Sequence, residues 1–207
     1  AGATGGATAF SSATDVIDVT VTGINDAPIL SGSSAFSTIT EDEITNNGTL
    51  VSALISGHIL DVDAGSLFGI AITAINSSDG LWQYSINGGA SWINAGEVSA
   101  TSSLLLASTH RLRFIPNGIS ADTASVVFRA WDQTSGAAGT KVDSSSTAGG
   151  LTAFSTAQAT ASITVTEVND APELDNRGFI SFSAITEDVL ADKGSTVAEL
   201  IASDGGD

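Results

Sequence analysis

Oxygen-bearing side chains stand in short groups along this chain of 207 residues. In chain order they are Asn25 with Asp26, Glu41 with Asp42, Asp61 with Asp63, and Asp132. Residues two apart on an extended segment point to the same side, so Asp61 and Asp63 can present two carboxylates to one ion. Calcium takes about six to eight hard oxygen ligands, including carboxylates and Asn side chains. The pattern predicts cation ligands, and its alternative is a turn role for each Asp, which we favour for Asp42 and Asp188.

The charge balance is strongly acidic, because 23 Asp and Glu residues against 6 Lys and Arg give a net charge of −17. This excess argues against nucleic acid as a partner and against adsorption to anionic lipid. It fits a solvated acidic surface or bound divalent cations, and the clustering of the carboxylates favours cations. The chain has no cysteine and no apolar run long enough to span a membrane. The missing apolar run predicts no membrane insertion. No nucleophile stands in recognisable order with a base, so no enzymatic activity is predicted.

The chain contains part of itself twice. Residues 149–155 repeat residues 5–11, and Asn-Asp-Ala-Pro recurs from 25–28 to 169–172, both at an offset of 144 residues. Ile-Thr-Glu-Asp recurs from 39–42 to 185–188 at an offset of 146. A period this long is a whole domain. The sequence therefore predicts part of a tandem array: C-terminal strands of a preceding repeat (1–27), a complete repeat (28–171), and the N-terminal part of the following repeat (172–207).

The pattern along the chain is that of β-strands. Residues 16–22 alternate apolar and polar side chains, as a half-buried strand does, and 159–168 repeat that alternation. Further strands are predicted at 36–39, 50–55, 69–75, 81–86, 91–94, 104–107, 111–115 and 125–131. Many short strands with turn residues between them indicate an all-β antiparallel sandwich. The stretch 133–150, rich in Ser and Gly, predicts a surface loop or a poorly ordered excursion.

The order of these motifs resembles the calcium motifs of cadherin repeats. It runs Asn25-Asp26-Ala27-Pro28, Glu41, Gly48-Thr49-Leu50-Val51, Asp61-Val62-Asp63, then Ala130-Trp131-Asp132 with Gly136. Over essentially its whole length, the chain is similar to the cadherin-like tandem repeats of very large secreted bacterial adhesins. The resemblance implies an Ig- or cadherin-like β-sandwich arranged in tandem, bound Ca²⁺, and neighbouring repeats of the same polypeptide as partners. It also implies an extracellular location at a bacterial cell surface, where calcium-stiffened repeats would project an adhesive domain or form a fibre.

The resemblance also implies two groups of calcium ligands, one at each end of the complete repeat. At one end, Asp61, Asp63 and Asp132 would meet the linker residues Asn25 and Asp26. At the other end, Glu41 would face Asn169 and Asp170, and its copy Glu187 would serve the next repeat. Asp207 aligns with Asp61 at the offset of 146, although it could equally lie in a loop ahead of that motif. The cadherin Asp-Arg-Glu motif is missing, so fewer ions per junction are expected.

Two other functions remain open from the sequence. Trp82, Tyr84 and Trp92 could stack on sugar rings in a carbohydrate-binding module, or could pack as core or as a cross-strand Trp82–Trp92 pair around an Asn87-Gly88 hairpin turn. The second alternative is a self-assembling filament subunit, in which identical chains exchange strands through the partial repeats at either end. Glycans and identical chains are thus possible partners beside the neighbouring repeats.

Overall fold

The computed structural model describes residues 5–7, 9–76, 79–146, 148–172, 184–188, 194 and 196–198. The chain forms two units, Ala1–Val168 and Asn169–Asp207. Every described residue of the second unit is exposed to solvent. No helix in the described ranges is long and apolar enough to cross a membrane.

The described residues of the first unit form twelve strands and one short helix. They are β1 (Ile29–Leu30), β2 (Ile39–Thr40), β3 (Thr49–Leu50), α1 (Val51–Leu54), β4 (Ile59–Leu60), β5 (Gly69–Asn76), β6 (Gly80–Ser85), β7 (Ile93–Asn94), β8 (Ser103–Ala107), β9 (Arg111–Pro116), β10 (Asp122–Trp131), β11 (Lys141–Val142) and β12 (Ala159–Thr166). A six-stranded sheet has the order β11-β8-β5-β10-β12-β2, a four-stranded sheet has the order β3-β9-β6-β7, and β1 pairs with β4. All strand pairs are antiparallel except β12 with β2. The predicted all-β antiparallel fold is confirmed.

The main core lies between the two large sheets and follows the period of two along each strand. On β10, the side chains of Ala124, Val126, Phe128 and Ala130 are fully buried, while the residues between them face away from the core. β12 repeats this alternation from Ala159 to Thr166. The four-stranded sheet contributes Trp82 and Phe114 among others, and these rings lie 5.3 Å apart.

A second, smaller core covers the outer face of the six-stranded sheet. Trp131 and Phe154 are buried there with Ala71 of β5 and Leu105 of β8. The stretch 133–150 supplies β11, which pairs with β8, and Ala138 and Val142 pack against this cluster. The prediction of a poorly ordered excursion is therefore wrong. A few apolar residues among the Ser and Gly residues bury enough surface to fix the loop on the sheet.

Two predicted strands take other conformations. Residues 16–22 are extended and exposed and belong to no strand of the described sheets, since no sheet edge lies beside them to bury Ile17, Val19 and Val21. The predicted strand at 50–55 contains α1 instead. Val51, Leu54 and Ile55 are buried, and their spacing of three and four residues is the period of a helix.

We expect Phe128→Ala to lower the free energy of unfolding by about 3 to 5 kcal/mol, because the ring is fully buried and its removal leaves a cavity. Urea unfolding followed by tryptophan fluorescence measures the change. Phe10→Ala is the matched control, because that ring is 70% exposed, and we expect a change within about 0.5 kcal/mol. Equal losses in the two variants would contradict the core described here.

Candidate functional site

The loop that follows β4 presents two of the predicted calcium ligands. The backbone N–H of Asp63 donates to Asp61 Oδ1 at 2.9 Å, and Ser66 Oγ donates to the Asp63 carbonyl at 2.6 Å. Gly65 has φ +84°, which an L side chain rarely adopts. Asp61 therefore fills the turn role that was the alternative to a ligand role. Its second oxygen and the carboxylate of Asp63 remain for other partners.

Asp132 lies directly after β10 and is only 3% exposed. Its Oδ1 accepts hydrogen bonds from the Thr134 backbone N–H at 2.8 Å and the Thr134 hydroxyl at 2.6 Å. The residue between them, Gln133, has φ +67° and is the one non-glycine residue with a positive φ in the described part of the chain. Such a conformation is costly and often marks a functional site. Here it turns the chain sharply so that Asp132 stays buried at the end of β10.

The linker residues meet both acidic segments. Asn25 Nδ2 donates to Asp132 Oδ2 at 3.0 Å, and the backbone N–H of Asp26 donates to Asp63 Oδ2 at 2.8 Å. Pairwise hydrogen bonds thus join Asn25 to Asp132, Asp26 to Asp63, and Asp63 to Asp61. We call these five predicted ligands the acidic end. An open cavity of about 390 Å³ lies against it, lined in part by Asn25, Asp63 and Asp132.

The acidic end has the oxygen ligands that a cation needs, but these ligands do not form a complete coordination site. Among the described residues, no group of three or more His, Cys, Asp or Glu side chains stands close enough together to hold a metal ion. The carboxylates of Asp63 and Asp132 instead accept N–H donors from the linker. Asp61 Oδ2, however, is buried with no hydrogen-bond partner in the described structure. A buried anionic oxygen without a donor is costly, and a hard cation would relieve that cost.

Glu41 has a similar unsatisfied oxygen at another position in the first unit. Its side chain is fully buried; Oε1 accepts the backbone N–H of Val168 at 2.6 Å. Its Oε2 has no partner among the described residues. The backbone N–H of Glu41 donates to the Thr166 carbonyl at 3.0 Å, which places the residue beside the end of β12. Glu41 is therefore a candidate ligand on the same physical ground as Asp61.

The remaining predicted ligands belong to the second unit. Asn169 and Asp170 are exposed, and Asn169 Nδ2 donates to the Asp170 carbonyl at 3.2 Å. Glu187 is exposed as well, and Asp207 lies outside the described residues. The grouping of Glu41 with Asn169 and Asp170 stays a prediction.

The aromatic residues do not form a platform at the surface. Trp82 is 2% exposed and packs between Phe36 and Phe114 in the main core. The predicted Trp82–Trp92 pair is wrong, because β6 and β7 align Gln83 with Asn94, and Trp82 therefore lies opposite Ala95.

Trp92 is half-buried instead, with the guanidinium of Arg113 3.9 Å from the centre of its ring. Burial lowers the pKa of Arg113, which also donates to Gln83 Oε1 and the Asn46 carbonyl. The Asn87-Gly88 turn is not the predicted one, since Asn87 has no positive φ. Its side chain closes a longer loop by hydrogen bonds with Ser85 and Ser91.

Sequence reasoning missed the backbone carbonyls of Gly150 and Thr152, which accept hydrogen bonds from the linker. Carbonyl ligands carry no side-chain signature. The available signal was the repeated segment Gly-Gly-x-Thr-Ala-Phe, at 5–10 and again at 149–154.

No protein-family model, no curated protein and no solved structure matches this chain.

We expect Glu41→Gln to be at least as stable as the wild type in chelator, because a neutral amide costs less to bury than an unpaired charge. In millimolar calcium the wild type should gain stability, and the variant should gain less, because its acidic end is unchanged. Urea unfolding under both conditions measures this. Glu43→Gln is the control, since Glu43 is exposed, and it should change neither value. A variant less stable than the wild type in chelator would contradict our assignment of an unpaired oxygen.

Proposed function

We propose that this chain is a calcium-stiffened extender module: a β-sandwich repeat that holds neighbouring repeats of one polypeptide in line. The observation that carries the proposal is the acidic end. There the linker residue Asn25 donates a hydrogen bond to Asp132 of the sandwich, and Asp26 donates one to Asp63. A linker tied in this way transmits the orientation of one repeat to the next.

Calcium would supply the positive charge that the acidic end lacks. Asp61, Asp63, Asp132 and Asn25 would hold the ion, with the buried Oδ2 of Asp61 as the oxygen that most needs a partner. Without a cation, the carboxylates repel one another, and the net charge of −17 makes that repulsion general. Extracellular calcium modules bind with dissociation constants of about 0.1 to 1 mM, which fits a secreted location at a bacterial surface.

The tandem arrangement finds support in the local conformation of the repeated segment. Gly5 and Gly6 have φ +81° and +64°, and their copies Gly149 and Gly150 have φ +81° and +63°. The same hydrogen bond closes both turns, from Gly5 N–H to the Phe10 carbonyl and from Gly149 N–H to the Phe154 carbonyl, each 2.7 Å. The two segments thus fold alike locally, as copies of one structural unit would.

A filament of identical chains is the second candidate, favoured by the exposed segment 16–22. Ile17, Val19 and Val21 are 81–90% exposed. Their copies in β12, at an offset of 144, are Ala161, Ile163 and Val165, all of them buried. Such a strand could complete another copy's sandwich. A mass that rises with concentration in sedimentation experiments would favour the filament, and a constant monomer mass would remove it.

We expect calcium to raise the melting temperature of the wild-type chain and Asp61→Asn to remove most of that gain. At about 10 mM calcium, roughly 100 times a dissociation constant of 0.1 mM, the stabilisation should be about 2.7 kcal/mol. The asparagine keeps an Oδ1 that can accept the Asp63 N–H, so the turn should survive.

Asp18→Asn removes one charge from an exposed position and is the control, which should keep the full calcium response. Calorimetry with calcium and then with chelator measures all three proteins. A wild type that melts at one temperature under both conditions would refute the proposed function.

A further inference from the structure

The loop 149–154 has a tight, self-closed conformation. Gly149 N–H donates to the Phe154 carbonyl at 2.7 Å, and Thr152 Oγ1 donates to the Gly149 carbonyl at 2.8 Å. Gly149 and Gly150 both lie in the left-handed region, with φ +81° and +63°, which glycine adopts without a steric penalty. The loop is thus shaped by its own sequence.

The second core anchors this loop on the six-stranded sheet. The ring of Phe154 is 3% exposed and is buried in the cluster with Trp131 and Leu105. The backbone N–H of Asp132 donates to the Ala153 carbonyl at 3.1 Å. The loop is therefore a fixed part of the sandwich, beside the acidic end.

Two carbonyls of the loop hold the linker. Gly150 O accepts the backbone N–H of Ala27 at 2.8 Å, and Thr152 O accepts Asn25 Nδ2 at 3.2 Å. We propose that residues 149–154 form a linker clasp, a docking surface whose partner is the Asn-Asp-Ala linker. The clasp holds the linker on the sandwich without a cation, because its acceptors are uncharged carbonyls whose donors are N–H groups of the linker.

The copy of this loop at 5–10 extends the inference to the preceding repeat. It has the same glycine dihedral angles and the same closing hydrogen bond, between Gly5 and Phe10. Phe10 is 70% exposed, whereas Phe154 is buried. The copied conformation assigns loop 5–10 the same role toward the linker that enters its own repeat, so each repeat would carry one clasp at its linker-binding end.

The clasp divides the linker into two parts that respond differently to calcium. Ala27 is held by the clasp, whereas the amide of Asp26 is held by the carboxylate of Asp63. The clasp rests on contacts within the first unit and does not require the proposed function. Experiments can therefore show the clasp without calcium binding, or calcium binding without the clasp.

Amide hydrogen exchange of the full chain in chelator, read by NMR, tests the clasp. We expect the Ala27 amide to be protected in the wild type, and to exchange at least about tenfold faster in Phe154→Ala, since loss of the buried ring frees the loop. Phe10→Ala, the exposed copy, should leave the Ala27 amide as protected as in the wild type. The Val126 amide of β10 reports whether each variant keeps its fold.

Two results would overturn the clasp: an Ala27 amide that exchanges as fast as a free amide in the wild type without calcium, or one that stays protected in folded Phe154→Ala. If that variant unfolds, Thr152→Ala is the deciding variant, because it removes only the hydrogen bonds that Thr152 Oγ1 donates within the loop, to the Gly149 and Phe154 carbonyls. Faster exchange at Ala27 with an unchanged Val126 amide then supports the clasp, and unchanged exchange at Ala27 refutes it.

Discussion

Buried negative charge without a matching donor is the constraint on which this structure depends. Within the described residues, Asp61 Oδ2 and Glu41 Oε2 are buried carboxylate oxygens with no hydrogen-bond partner. Leaving a charge buried and unpaired is strongly destabilising, by about 3 to 5 kcal/mol where one partner of a buried pair is removed. A sandwich that carries two such oxygens is most stable when positive charge reaches them. Under the proposed function, a bound cation supplies this charge and links the stability of the fold to the cation content of its surroundings.

A single strand, β10, connects both apolar cores with the acidic end. β10 carries Phe128 in the main core and Trp131 in the second core, and Asp132 follows directly at the acidic end. The position of Asp132 therefore depends on the packing of both cores. The second core in turn anchors loop 149–154, so that apolar burial on the outer face of the sheet determines where the linker docks. The position of the linker thus depends on the packing of the sheet.

Much of this was predictable from the sequence because alternation reports which face a side chain occupies. The long strands β9, β10 and β12 follow that rule, as do Asp61 and Asp63 at the end of β4. β5 does not, because its first five residues are all buried and it contributes to both cores. Alternation does not report register, so it leaves open a Trp82–Trp92 pair, which the pairing of β6 with β7 excludes, beside the core packing that Trp82 adopts. A short apolar run also does not distinguish a strand from a helix turn, as in α1. The part of the site that the sequence did not predict consists of backbone carbonyls, which every residue type carries. The packing of the Ser-rich stretch depends on a few apolar residues.

The most direct test of the central claim is backbone ¹⁵N relaxation at residues 23–26, measured with calcium and then with chelator. If the acidic end binds calcium and stiffens the linker, the order parameters of these amides should rise with calcium toward the rigid value of about 0.85, while those of β10 stay constant. Order parameters at 23–26 that are equal under the two conditions would contradict the account. The acidic residues would then be turn formers and solvated surface, and the linker would owe its rigidity to protein contacts alone.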